Sequence, residues 1–272
     1  QIQELRYASL LHDFGKVGVR EDVLIKAKKL YPQQLELIRW RFHYIRKDIE
    51  SKLLAQCLAE LKAAPAQAWP EIEAKFAVEL EKNQREAEDM FSAILSANEP
   101  TVLAAGSFEF LKKIAENKVA LSKDHHVPWL SDNELVMLSI RKGTLDENER
   151  REIESHVTHT YNFLKQIPWT PNLRWVPEIA YGHHEKLNGG GYPLKRRDPE
   201  ISLQTRMMTI ADIYDALTAW DRPYKKAIPP EKAIDILGME VKDGHVDPDL
   251  LKIFVEAKVF ARIDELRGVE MR

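Results

Sequence analysis

The chain has 272 residues, of which 44% are hydrophobic and 31% charged, a composition that excludes a disordered protein and can fill the core of a large domain. Its 40 basic residues are balanced by 43 acidic ones, so it lacks the basic excess of a non-specific nucleic-acid binder, and we predict no DNA partner. A single cysteine, Cys57, excludes an intramolecular disulfide and a thiolate metal cluster. No apolar run reaches the roughly 18 residues of a membrane span and no signal peptide is visible. We therefore expect a soluble, cytoplasmic protein without membrane insertion.

The N-terminal residues already show helical periodicity, because Ile2, Leu5, Ser9 and His12 are three or four positions apart. The chain opens without an initiator methionine and without a helix cap. We therefore expect it to be the C-terminal part of a longer protein.

Two long amphipathic helices are predicted next. Apolar residues recur every three or four positions over 35–61 and again over 72–94, and Pro65 and Pro70 interrupt the pattern between them. This arrangement predicts an antiparallel helical hairpin. Its apolar stripes suit pairing with other helices, and we expect it to form a homodimer contact.

The later helices are marked by their N-terminal residues. Ser131 and Glu134 form a Ser-x-x-Glu capping box, and an acidic turn precedes a helix predicted over 146–164. A last helix is predicted over 250–266, and His125-His126 is expected in a loop. Because no segment shows the sustained alternation of a half-buried strand, we predict an all-α fold.

The first candidate functional residues are the adjacent His12 and Asp13, followed by Lys16. A carboxylate beside an imidazole at the end of an apolar helix is costly unless it is paired or bound to a metal. The dipeptide alone is compatible with a His–Asp hydrogen bond in a helical core and with a metal site.

A second group favours the metal. Adjacent residues on a helix point about 100° apart, so His183 and His184 suit two neighbouring metals, or one metal and a role facing a phosphate. Gly189-Gly190-Gly191 follows, where backbone can approach a ligand closely. Asp212 and Asp215 share one face of a largely apolar helix, where carboxylates are more often ligands or catalytic groups than solvated charges.

Together these segments resemble the HD-GYP family of HD-superfamily phosphohydrolases. The matching segments, in order, are LLHDFGKVGV (10–19), IESHVTHT (153–160), HHEKLNGGGYP (183–193), ADIYDALTAWDRPYKKA (211–227) and GHVDPDLLKIF (244–254). Any one of them is weak evidence. Their presence in this order is specific.

The resemblance implies an all-α HD-superfamily helical domain with an inserted antiparallel helical hairpin. Residues 1–34 and 128–272 would form the catalytic domain, and 35–127 the insertion. The family also has a ligand helix upstream of the His-Asp pair, which this chain lacks. We therefore expect the metal held by His12, Asp13 and Asp212 to be the less occupied one.

For activity, the resemblance implies hydrolysis of cyclic di-GMP to pGpG and GMP with two or three divalent metal ions, Fe or Mn. A water activated by the metals would attack phosphorus in line. Asp13 would bridge two metals, and Asp13 and Lys16 would be catalytic. The implied metal ligands are His12, Asp13, His156, His183, His184 and Asp212.

The implied substrate contacts are Lys16, Lys186, Tyr192, Asp215, Arg222 and Lys225. Arg222 suits bidentate recognition of phosphate or guanine. Each of the three lysines is also compatible with an ordinary surface position.

One ligand has a competitor in the sequence. The segment before His43 resembles the family's usual lead-in to its third histidine, but a similar lead-in precedes His156. His156 also has the expected spacing, 27 residues, to His183. We therefore predict His156 as the ligand and His43 as part of the insertion.

We expect the chain to be the output domain of a larger bacterial signalling protein. Two alternatives remain: a phosphohydrolase of another nucleotide, and a catalytically weak regulatory module that binds a cyclic dinucleotide or a diguanylate cyclase domain.

Overall fold

The computed structural model describes residues 1–219 and 227–262, and its regular elements in this part of the chain are helices and one pair of short strands. The α-helices are α1 (Ile2–Leu11), α2 (Glu21–Leu24), α3 (Pro32–Ala63), α4 (Trp69–Ala97), α5 (Ser107–Glu116), α6 (Asp132–Leu138), α7 (Glu147–Glu154), α8 (His156–Leu164), α9 (Val176–Tyr181), α10 (Leu203–Thr218), α11 (Pro230–Lys242) and α12 (Pro248–Glu256). Short 3₁₀ helices span Phe14–Gly18 and Ala66–Ala68. The predicted all-α fold is confirmed.

The chain divides into two compact units. The first combines residues 1–25 with the chain from residue 147 onward, and the second comprises residues 26–146. These bounds differ from the predicted limits of 35 and 127 for the insertion. The assignment of a catalytic domain and an insertion remains a prediction.

Helices α3 and α4 of the second unit pack against each other in antiparallel orientation. Arg46 Nη1 in the first half of α3 lies 2.9 Å from Glu88 Oε2 in the second half of α4. Lys75 Nζ near the beginning of α4 lies 3.0 Å from Glu60 Oε2 near the end of α3. Pro70 occupies the first turn of α4, where a proline removes no helical hydrogen bond. The helices of the predicted hairpin are therefore present. That they are an insertion into another domain stays a prediction.

A β-hairpin in the second unit was not predicted from the sequence. Strands β1 (Lys118–Ser122) and β2 (His125–Pro128) pair antiparallel, with Val119 opposite Val127. The prediction of a loop at His125-His126 was therefore wrong. Strands of five and four residues are too short to give a sustained alternation of polar and apolar side chains.

Two predicted helices have different limits in the structure. The helix predicted over 146–164 is divided into α7 and α8 at Ser155. The helix predicted over 250–266 ends at Glu256, and Lys258 has a positive φ of 49°, which is incompatible with a continuing right-handed helix. Residues 263–266 lie outside the described residues.

Two apolar clusters hold the helices of the first unit. One contains Ala8 of α1, Leu164 of α8, Ile179 of α9 and Met208 of α10, and the other joins α10 to α11 and α12. Packing of these apolar faces brings the C-terminal ends of α1 and α9 close to α10. Among the described residues, no helix combines the length and hydropathy needed to cross a bilayer.

Candidate metal centre

Six polar side chains meet where the helices of the first unit converge. His12 and Asp13 follow α1, His156 begins α8, and His183 and His184 follow α9, while Asp212 lies on α10. Two overlapping groups have ligand atoms within 4.8 Å of one another: His156 with His183 and His184, and His12 with Asp13 and His183. These six residues are the ones that the HD-GYP resemblance implies as ligands. Their role as ligands remains a prediction.

Asp13 links the two sides of the cluster. Its Oδ1 lies 3.3 Å from His156 Nε2, and its Oδ2 lies 3.4 Å from His12 Nε2. His12 Nε2 is also 3.4 Å from Asp212 Oδ1. The two oxygens of one carboxylate therefore face imidazole nitrogens of two different histidines, His156 and His12.

Three of the histidines share one hydrogen-bonding pattern. In each, Nδ1 lies close to the backbone carbonyl oxygen three residues earlier, at 2.8 Å for His12 and 2.6 Å for both His156 and His183. A carbonyl oxygen can only accept, so Nδ1 donates the hydrogen bond when the ring is neutral. The Nε2 lone pair then points into the cluster, as in metal-binding histidines whose other nitrogen is bonded to the protein.

Several acceptor atoms in the cluster have no hydrogen-bond partner. Nε2 of His156, Nε2 of His183 and Oδ1 of Asp13 are buried without one among the described residues. Buried polar atoms normally have a hydrogen-bond partner, because a buried polar atom without a hydrogen bond costs about 1–3 kcal/mol of stability. A divalent cation bound between these atoms would accept their lone pairs. A set of imidazoles and carboxylates without thiolate suits Fe, Mn and Zn.

Burial favours the uncharged form of three of the histidines. It lowers the pKa of His183 to about 4 and that of His184 to about 3, and it also lowers the pKa of His156. Neutral imidazole is the form that binds metal, so these side chains do not have to lose a proton near pH 7.

The acidic side chains are held ionised. Burial would raise the pKa of Asp13, but the hydrogen bond from Lys16 and the nearby imidazoles outweigh it, and the pKa is lowered. Burial would also raise the pKa of Asp212, but the hydrogen bond with His12 and the nearby imidazoles outweigh it and lower the pKa to about 2. The pKa of His12 is raised because Asp212 and Asp13 outweigh its burial.

A contact that the sequence analysis missed joins α8 to the His-Asp segment. Thr160 Oγ1 donates to the carbonyl oxygen of His12 over 2.8 Å and accepts from the Gly15 backbone N–H over 2.8 Å. A Cβ at Gly15 would lie 2.0 Å from the His156 carbonyl oxygen, so only glycine fits there. Nothing in the sequence indicated this partner of Thr160.

The loop after the paired histidines folds back over His184. The Tyr192 backbone N–H donates to the carbonyl oxygen of His184 over 3.2 Å, and the two rings lie 4.8 Å apart. Burial raises the pKa of the Tyr192 phenol, which stays protonated. Glu185, to which the sequence analysis gave no role, accepts two backbone N–H groups from Leu194 and Arg196. Tyr192 therefore lies beside the cluster, and its role as a substrate contact stays a prediction.

Lys16 and Lys186 have different surroundings. The Lys16 ammonium donates to Asp13 Oδ2 over 2.5 Å, at the edge of the cluster. The Lys186 ammonium instead lies 3.2 Å from Nδ1 of His245, an atom that is 2.6 Å from Glu240 Oε2. The structure brings Lys16 to the cluster and directs Lys186 toward the turn before α12.

The remaining predicted substrate contacts follow Asp212 in the sequence. Asp215 is exposed, one helical turn beyond Asp212. Arg222 and Lys225 lie outside the described residues. Their assignment as substrate contacts stays a prediction.

Of the two competing histidines, His156 belongs to the cluster. Its side chain is 1% exposed, and it faces Asp13. His43 is exposed on α3 of the second unit, where its ring contacts Trp40. It belongs to neither group of potential ligands among the described residues.

The sequence of the chain is similar to those of known proteins. Residues 132–250 match the family model described as "HD domain". A 3'3'-cGAMP-specific phosphodiesterase of Vibrio cholerae is 40% identical over 109 residues, 40% of this chain and 23% of the relative. A cyclic di-GMP phosphodiesterase of Pseudomonas aeruginosa is 42% identical over 82 residues, 30% of this chain and 19% of the relative. These matches are consistent with the HD-GYP resemblance.

One relative aligns over most of the chain. Another 3'3'-cGAMP-specific phosphodiesterase of Vibrio cholerae is 26% identical over 264 residues, 89% of this chain and 58% of the relative. The chain thus spans about a fifth to three fifths of the lengths of these three relatives.

Proposed function

We propose that the chain, whose residues 132–250 match the family model described as "HD domain", is a metal-dependent phosphodiesterase that hydrolyses cyclic di-GMP to pGpG and GMP. The main support is Asp13, whose two carboxylate oxygens face the Nε2 atoms of two different histidines, His12 and His156. The relatives named cyclic di-GMP phosphodiesterases support the substrate.

In this proposal Asp13 is shared between two metal sites. His12 and Asp212 complete one site, and His156, His183 and His184 complete the other. Fe and Mn are the metals that we propose, and the resemblance also allows a third ion. When bound, the cations supply a water of lowered pKa and neutralise charge on the phosphate oxygens.

The protein's own residues then hold and orient the substrate. Hydrolysis adds one water across a phosphodiester bond of the ring, so the first product is linear and has a terminal phosphate. The Lys16 ammonium lies beside Asp13 and is placed to contact that phosphate or to donate a proton to the leaving oxygen. The protonated Tyr192 phenol closes one side of the site and can donate a hydrogen bond.

The outer contacts are proposed from the resemblance. Arg222 and Lys225 would bind the second phosphate or a guanine, and Asp215 would accept from a guanine or orient a water. Lys186 would reach substrate only by leaving His245. A homodimer through α3 and α4, a diguanylate cyclase partner and a cytoplasmic location are part of the same proposal.

A different cyclic dinucleotide is the second candidate substrate. It is favoured by the relatives named 3'3'-cGAMP-specific phosphodiesterases, one of which aligns over 89% of this chain. The Lys16 ammonium and the Tyr192 phenol, which lie beside the cluster, suit any cyclic dinucleotide with a phosphodiester ring. They do not distinguish guanine from adenine.

The test is hydrolysis by the purified chain loaded anaerobically with Fe(II) or with Mn(II). Cyclic di-GMP and 3'3'-cGAMP are offered separately, and the products are separated by chromatography. We expect pGpG to appear before GMP, and we expect Asp13→Asn to abolish turnover. A metal-loaded protein that binds cyclic di-GMP without hydrolysing it would instead support the regulatory module.

A further inference from the structure

A cavity on the first unit is separate from the histidine cluster. Its volume is about 570 Å³, and it lies between one face of α9 and residues 196–205. None of the six proposed ligands lines it. Its size lies in the range of about 300–1,000 Å³ that is usual for small-molecule sites.

The α9 wall presents an indole and a carboxylate. Trp175, Glu178 and Gly182 follow helical spacing and line the cavity together. The Trp175 side chain is 50% exposed, and its ring offers a flat apolar surface. Oε2 of Glu178 is buried and has no hydrogen-bond partner among the described residues. The carboxylate of a glutamate that lines a cavity can accept hydrogen bonds from a ligand bound there.

The opposite wall presents the Arg196 cation and the Gln204 amide, together with the carboxylates of Glu185 and Glu200. The backbone N–H of Arg196 donates to Glu185 over 2.9 Å, which holds this segment in place. The Arg196 guanidinium is half-buried and forms no ion pair within the described part of the chain. Gln204 lines the same wall near the start of α10. The cavity therefore has an acceptor on one side and a planar donor on the other.

We propose that this cavity binds the guanine base of a nucleotide. Guanine has adjacent N–H donors on one edge, which match the Glu178 carboxylate. Its O6 and N7 acceptors lie on another edge and are the usual bidentate partner of arginine, here Arg196. Stacking of a base on an aromatic ring such as Trp175 adds about 1–3 kcal/mol.

Adenine does not match the same groups. Its N1 is an acceptor, and it would face the carboxylate of Glu178, which can only accept while ionised. Adenine also presents an N–H₂ donor where guanine has O6, and this donor would meet the Arg196 guanidinium. The cavity should therefore prefer guanine to adenine.

A guanine nucleotide at this position is a regulator and not a substrate, because no proposed metal ligand lines the cavity. The site is nevertheless connected to the cluster. Gly182 of the cavity wall precedes His183, and the carbonyl oxygen of Ala180 on α9 accepts from His183 Nδ1 over 2.6 Å. The proposal is independent of the proposed hydrolysis.

The test is calorimetric titration of the chelator-treated protein with GMP and with AMP. The two nucleotides share the phosphate, so their difference reports the base. We expect one GMP per chain and an affinity at least tenfold lower for AMP. Absence of GMP binding, or equal binding of both nucleotides, would overturn the proposal whatever the protein's hydrolytic activity.

Variants locate the binding. Glu178→Gln should weaken GMP binding at least tenfold and narrow the difference from AMP, because an amide can pair with adenine. The exposed Glu147→Gln is the matched control and should bind GMP as the wild type does. Arg196→Gln changes a half-buried side chain and tests the opposite wall if Glu178→Gln does not fold. Unchanged GMP affinity in a folded Glu178→Gln or Arg196→Gln protein contradicts the site.

Discussion

Oδ1 of Asp13 and Nε2 of His156 face each other at 3.3 Å, and neither has a hydrogen-bond partner within the described residues. With the proton of a neutral His156 on Nδ1, two lone pairs point at each other in a buried site. Such an arrangement is unfavourable in a protein that binds nothing there. A cation between the two sides removes the conflict, which is why this contact favours a metal centre over a structural His–Asp pair.

The first prediction is that His156→Ala reduces bound metal by at least one ion per chain. The variant removes a buried nitrogen ligand but leaves Asp13 in place. With metal at 1,000 times its dissociation constant, binding stabilises a protein by about 4 kcal/mol, and the variant should lose this metal-dependent gain. Metal analysis and thermal unfolding with and without Mn(II) measure both effects.

His159→Ala is the matched control for this experiment. His159 lies on the same helix, is exposed and belongs to neither group of potential ligands. It should keep the metal content and the metal-dependent stabilisation. Equal metal content in His156→Ala and the wild type would refute the ligand assignment.

The second prediction concerns two glycines with opposite surroundings. Gly15→Ala should destabilise the protein by at least about 3 kcal/mol, because its Cβ would lie 2.0 Å from the His156 carbonyl oxygen and 2.6 Å from the Thr160 nitrogen. Gly238→Ala, inside α11, meets no atom within 4 Å and should stabilise by about 0.5–1 kcal/mol. Urea unfolding compares both variants with the wild type. A Gly15→Ala protein of wild-type stability would show that the α8 contact is looser than described.

Much of this organisation could be predicted from the sequence, because long periodic helices and proline breaks are local signals. The capping box at Ser131 is present, with the Ser131 N–H donating to Glu134 over 2.8 Å. The missed features depend on distant residues. The β-hairpin at 118–128 is short, and the partner of Thr160 lies in a segment more than a hundred residues earlier. Lys186 could not be directed to His245 from the sequence, since a GYP-type motif does not specify which neighbour its lysine meets.

The third prediction is a loss of stability of the metal-free protein at mildly acidic pH. The folded-state pKa values of His183 and His184 are about 4 and about 3, below the unfolded value of about 6.5. Unfolding therefore takes up protons, and stability is fully present above pH 6.5 and falls as the pH decreases toward 4. His12, whose pKa is raised, opposes this trend.

The expected loss between pH 6.5 and 5 is about 1–2 kcal/mol for each of the two buried histidines. Urea unfolding of chelator-treated protein at several pH values measures it. His184→Asn, a neutral side chain of similar polarity, should flatten the pH dependence. A wild-type stability that stays constant or rises over this interval would contradict the buried, neutral state of these histidines.

The last prediction is that the first unit binds metal without residues 26–146. All six proposed ligands lie in the first unit, and its apolar clusters contain no residue from 26–146. The ends to be joined are held in place, because the Arg20 guanidinium pairs with the Glu152 carboxylate at the beginning of the unit's second segment, with both N–O distances 2.9 Å. A short Gly-Ser linker from Ile25 to Glu147 should therefore give a cooperatively unfolding protein with wild-type metal content.

The same deletion with His156→Ala is the control and should lose metal. A deleted protein that is helical but metal-free would mean that residues 26–146 belong to the centre, and one without helical structure would mean that the first unit has no independent core.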